Sequence, residues 1–265
     1  MPTKRQNHCS MPACHEEHAI ASRAPASAVG GVATALGAFG VLVSSVFYAL
    51  APPAVALPGP LDPSIAQAAA EQGTGMMQAA GTVGMLSDVF LAAGAILVAS
   101  DFVRRRRGVA AVGWLILALG VIVFIVVDAL ASAVLSDAAK MNGSALIGFK
   151  LLFDALFVLG TLASGVGAAV AMSAEIVAPR PLVGSMTARI GAAAGSMAVV
   201  TATGCLGAMP WGEAAGVSVA ILSMVFAVAG MKLARSAARC VDPQHVSNPP
   251  LALDTEGTRK QTTGG

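Results

Sequence analysis

From Val109 to Val127 the chain carries nineteen consecutive apolar residues with no charge, hydroxyl or amide side chain among them. At 1.5 Å per residue a helix of that length spans about 28 Å, close to the roughly 30 Å of bilayer hydrocarbon. A soluble domain of this size has no interior that could hide such a helix on every side. The rest of the composition points the same way. Of 265 residues, 56% are hydrophobic and 11% charged, against about 25% charged in an ordinary soluble domain. So few charges cannot coat a water-soluble globule, whereas a lipid-facing surface needs no such coat.

Five further windows are long and apolar enough to cross a bilayer, which predicts an all-α polytopic bundle of six spans at about 28–51, 78–100, 109–131, 145–174, 188–209 and 214–234. The second, fourth and fifth are rich in Gly, Ala and Ser and carry charges, as suits helices packed among other helices. A membrane barrel would show segments of roughly ten residues with alternating polarity, and that pattern is absent. Residues 1–27 and 235–265 are polar tails that cannot bury enough apolar surface to fold alone. The first apolar stretch starts too far in, and runs too long, for a cleaved secretory signal, so it reads as a retained span.

Basic residues set the orientation. With both termini cytoplasmic, every one of the 16 Lys and Arg except Lys140 and Lys150 falls on the inner side, including the run Arg104 to Arg107. The positive-inside rule then predicts a multi-pass protein of a bacterial inner membrane with both tails inside. Among the outer connections the longest is 52–77. There Asp62 and Pro63 look like a cap and first-turn proline for a short surface helix, Ser64 to Gln72, which Gly73 and Gly75 would stop.

Four charges fall within or near the hydrocarbon: Asp88 in the second span, Asp128 in the third, Lys150 and Asp154 in the fourth. Each such charge at mid-membrane costs about 2.5–3.5 kcal/mol on insertion scales, so these side chains are expected to face the bundle interior, one another, or water. Lys150 and Asp154 are four apart and share a helix face, while Asp128 approaches from the adjoining helix, so one cation meets up to three carboxylates. At least one carboxyl of the set is then expected to hold an exchangeable proton. Gly81, Gly84, Ala92 and Ala95 share the face of Asp88 and would let another helix come close. The four residues form a candidate proton, ion or substrate site; the alternative is a fixed ion-pair network that orders the hairpin.

Other features carry weaker signals. His8, Cys9, Cys14, His15 and His18 crowd the first tail with Met11, a donor set that suits zinc or copper, though the spacing matches no standard zinc module. An incidental polar tail explains them as well. Gly191 and Gly195 are spaced for close helix contact, within the bundle or between copies in a homo-oligomer. Trp114 and Trp211 are expected as interface anchors, and with one Tyr and two Trp there is little material for an aromatic ligand cage. No histidine lies in any span and no phosphate-cradling loop occurs, which disfavours a bis-histidine haem protein, an intramembrane metalloprotease and a Ser–His protease; no cofactor is expected, and an intramembrane enzyme ranks behind the other readings. The expected partners are the lipid bilayer and a second copy of the chain, with no support for nucleic acid.

The order of features resembles a family of bacterial six-helix inner-membrane proteins known only as a domain of unknown function. The resemblance rests on the Gly-rich first span (Gly30 to Gly40), the basic turn Phe102 to Arg107, the polar stretch Phe149 to Asp154 and the stretch Ala178 to Leu182. It covers residues 28–234 and implies a fold without implying an activity. From the residues themselves, the expected function is transport of a small solute or ion, with Asp88 and Asp154 holding the proton or cation. A non-transporting membrane scaffold, assembly partner or sensor is the alternative.

Overall fold

The computed structural model describes residues 24–59, 62–135, 137, 143–207 and 211–241; residues 24–27 and 235–241, expected as parts of the polar tails, are helical, and the rest of both tails lies outside the described residues. Seven α-helices follow one another: α1 (Ala24–Leu50), the four-residue α2 (Pro53–Ala56), α3 (Pro63–Arg104), α4 (Gly108–Ala129), α5 (Gly143–Ile176), α6 (Ser185–Leu206) and α7 (Gly212–Val241). A π-helical turn, Leu130–Leu135, extends α4. Among the described residues there is no strand, and six of the helices are long and apolar enough to cross a membrane. Their outward faces agree with that reading, since Leu36, Phe39, Leu86, Val109, Leu119 and Leu151 are each more than 60% exposed. In water so many exposed large apolar side chains would form an unstable surface, whereas against lipid they are solvated.

The six spans form a ring in chain order. Each packs against its neighbours, and α1 closes the circle on α7. Small residues set the closest approaches. A Cβ on Gly31 would meet the backbone of Gly230 and Ala234, and one on Gly230 would meet Gly31 and Ala35, so at this crossing α1 and α7 touch main chain to main chain. Gly191 and Gly195 of α6 are likewise spent inside the bundle, against Met172, Val225 and the α5 backbone at Gly165 and Ala169.

Helix α3 differs from the sequence expectation. Its 42 residues run unbroken from Pro63, so the expected surface helix 64–72 is the first part of the span, and Gly73 and Gly75 do not stop it. A helical glycine costs only about 1 kcal/mol relative to alanine. At Gly73 that cost brings a contact: a Cβ there would sit 3.0 Å from Pro52, so the missing side chain lets the α1–α2 connection lie close. Trp114 also departs from expectation. It is fully buried, edge-on to Phe226 with ring centroids 5.5 Å apart, and belongs to the core instead of an interface.

All described Lys and Arg residues other than Lys150 cluster at the end where α3, α5 and α7 finish, hereafter the basic end. The turn joining α3 to α4 closes tightly there. Arg107 N–H donates to Phe102 O and Arg106 N–H to Val103 O, both at 2.9 Å, which places Arg106 at φ +58° in the position usually held by glycine. Two buried apolar clusters fill the ring, one around Phe102, Trp114, Met172 and Phe226, the other around Val55, Met77, Leu146 and Phe153 at the opposite end. Residues of both clusters line a cavity in the bundle.

Candidate functional site

The cavity has a volume of about 380 Å³ and takes its walls from α1, α2, α3, α4, α5 and α7. Asp88 of α3 and Asp128 of α4 both line it, at 3% and 5% exposure. The Asp128 carboxyl lies over Gly84, one helical turn before Asp88, so the two acids are neighbours across the α3–α4 contact. Tyr48 of α1 donates its hydroxyl to Asp128 Oδ1 at 2.7 Å. Small residues make this geometry possible. A Cβ on Gly84 would collide with the Asp128 carboxyl, and one on Gly81 with its backbone carbonyl, so α4 can seat Asp128 against α3 only where α3 has no side chain. Ser44 Oγ donates to Ala80 O at 2.8 Å and ties α1 to the same stretch of α3.

The four charges singled out in the sequence therefore separate into two pairs. Lys150 does not reach Asp128. Its ammonium pairs with Asp154 one turn along α5 and donates to Leu57 O at 2.8 Å, while Gly59 N–H donates to Asp154 Oδ2 at 3.3 Å. Both partners thus hold the 57–59 segment against α5. That segment forms a lid: Pro53, Ala56 and Leu57 line the cavity from the end opposite the basic residues, and Pro58 packs on Gly212 at the start of α7. Lys150 and Asp154 are the latch of the lid, and the carboxyl pair is the polar part of the wall beneath it.

The aromatic material of the cavity is mostly phenylalanine, which a count of Tyr and Trp does not reveal. The cavity wall includes Tyr48, Phe124, Phe157 and Phe226. Phe124 and Phe157 meet edge to face with centroids 5.6 Å apart, and Phe153 stacks on Phe157 from behind at 6.3 Å. One more lining group has no protein partner: the hydroxyl of Ser164, a residue 6% exposed on α5.

A fifth buried charge, missed in the sequence, lies at the basic end. Glu175, at 1% exposure, accepts Arg107 Nη1 at 2.7 Å on one oxygen and the Leu182 N–H at 2.6 Å on the other. Arg107 Nη2 in turn donates to Arg180 O at 2.8 Å. The carboxylate joins the α3–α4 turn to the α5–α6 connection and is satisfied on both oxygens. The basic run thus serves the turn itself, with Arg105 also paired to Asp101 at 2.7 Å.

His8, Cys9, Cys14, His15 and His18 lie outside the described residues. Among the described residues no group of three His, Cys, Asp or Glu side chains is placed to hold a metal. The chain matches no family model, no curated protein and no solved structure.

Proposed function

We propose that the protein is a multi-pass membrane transporter of a small solute or ion, with the basic end and both tails in the cytoplasm of a bacterial inner membrane. One observation carries this reading: two buried carboxyls, Asp88 and Asp128, neighbours across the α3–α4 contact, line a cavity large enough for a small molecule. A structural role alone would favour a cation for each buried carboxylate, or apolar residues in their place. A carboxyl pair facing open space can instead exchange its proton for a ligand, which is the elementary step of coupled transport.

The two pairs divide the work. Asp88 and Asp128 hold the exchangeable charge, Tyr48 fixes the Asp128 carboxyl, and the Lys150–Asp154 latch keeps the lid over the cavity. The experiment is proton flux into proteoliposomes under an imposed pH gradient, with internal pH read by a trapped dye. Wild-type protein should dissipate the gradient faster than empty vesicles, and Asp88→Asn should fall to the background while remaining inserted. Wild-type flux at background, or full flux in Asp88→Asn, would remove the carboxyl pair from any transport role and favour the scaffold reading.

A further inference from the structure

We infer that the cavity binds a monovalent organic ammonium ion with an apolar body, that is, a lipophilic amine. The inference rests on the carboxyl pair as the binding site and names the ligand class that the remaining walls select.

Charge comes first. Asp88, Asp128 and Glu213 line the cavity, and among the described lining residues there is no Lys or Arg. A carboxyl pair that shares one proton carries a single negative charge, which one monovalent cation neutralises. Size then excludes a bare metal ion. Hard cations take six or more oxygen ligands at 2.0–2.6 Å, whereas here about 380 Å³ of space is bounded mostly by apolar side chains, with Asp88 and Asp128 grouped on the α3–α4 side. An occupant must therefore bring its own apolar surface. The faces of Tyr48, Phe124, Phe157 and Phe226 suit a cation close to aromatic rings.

The route in is also visible. Of the lining residues, Ala49, Pro53, Glu213 and Val217 are exposed; Ala49 is on α1, Glu213 and Val217 are on α7, and Pro53 belongs to the lid beside them. At Gly31 and Gly230 the seam of α1 and α7 is closed backbone to backbone, whereas at Gly216 the nearest atom to a Cβ would be the Leu57 side chain at 3.4 Å. The two helices thus meet near the basic end and leave room between them toward the other. Glu213, in the first turn of α7, puts a negative charge at this mouth and attracts cations toward it.

The test uses full-length protein in phosphatidylcholine nanodiscs with radiolabelled phenethylammonium, and 2-phenylethanol as its neutral counterpart of similar shape. Saturable binding of one amine per protein is expected, at least tenfold tighter than the alcohol and at least tenfold weakened in Asp88→Asn. Acidification should weaken it as the pair takes up a second proton; Tyr48 and Glu213 are the other titratable groups facing the cavity. Should Asp88→Asn not fold, the surface change Glu213→Gln is expected to slow amine association severalfold at low salt. Equal binding of amine and alcohol, or amine uptake no greater than into empty nanodiscs, overturns the inference. So does unchanged affinity in a folded Asp88→Asn. Amine binding without proton flux would leave this inference standing and remove transport; proton flux without amine binding would do the reverse.

Discussion

Two buried carboxyl sites in one bundle meet the same desolvation cost in opposite ways. At the basic end, Glu175 is answered by the Arg107 guanidinium and the Leu182 amide, one for each oxygen. In the bundle interior, Asp88 and Asp128 answer each other, aided by a tyrosine, beside an open cavity. The first arrangement is closed, because every lone pair facing the protein has a donor and the two connections it joins gain a fixed geometry. The second is incomplete without a proton or a ligand. Burial alone therefore does not mark a functional charge; what marks it is the absence of a cation where there is room for one.

Replacing one member of each site should separate them most sharply. Glu175→Ala leaves the half-buried Arg107 guanidinium and the Leu182 amide without their acceptor, and should lower stability by about 2–4 kcal/mol. Thermal unfolding in detergent would read this, and a loss under 1 kcal/mol would show that the knot is not structural. Asp88→Asn, by contrast, keeps a hydrogen-bonding amide beside Asp128 and should leave stability within about 1 kcal/mol of wild type, while proton flux disappears. A severe loss of stability there would make the two sites alike and erase the distinction.

Tyr48→Phe comes next. It removes the hydroxyl that meets Asp128 at 2.7 Å and should cost about 1.5–3 kcal/mol, as hydrogen bonds to charged groups do. Its companion signature is weaker amine binding, since the Asp128 carboxyl loses the donor that holds it in place. Unchanged amine affinity would place Tyr48 outside the site. Arg106→Gly should raise stability by about 1 kcal/mol by relieving a left-handed backbone at a non-glycine residue, read from the same unfolding curves. The smallest effect is expected for Arg105→Ala. Its pair with Asp101 is exposed on the Arg side, so the change should stay below about 0.5 kcal/mol.

How much of this was legible depends on the range over which each signal acts. The six spans rest on contiguous apolar length, so all six windows correspond to long helices, most of which run several residues past the sequence limits. Lys150 and Asp154 were paired from spacing because i and i+4 is a local relation. Tyr48 and Asp128, 80 residues apart, share no local relation, and the tyrosine looked like one aromatic too few instead of a ligand to a carboxyl. Glu175 sat just past the fourth window and read as loop, although an acidic residue at the inner end of an apolar span, close in sequence to a basic connection, was the available clue. The glycines at 73 and 75 misled for a physical reason: glycine weakens a helix by an amount that one good contact can offset.

The closure of α1 on α7 has a consequence in time. The chain is made from its N-terminus, yet the contact at Gly31 and Gly230 joins residues nearly two hundred positions apart. One wall of the cavity, from Glu213 to Phe226, does not exist until the last span is inserted. Until then Asp88 and Asp128 lie in a horseshoe open on that side, and what shields them is each other. A carboxyl pair that can neutralise itself with one proton is thus suited to waiting as well as to working: it lets five spans rest in lipid before the sixth completes the chamber.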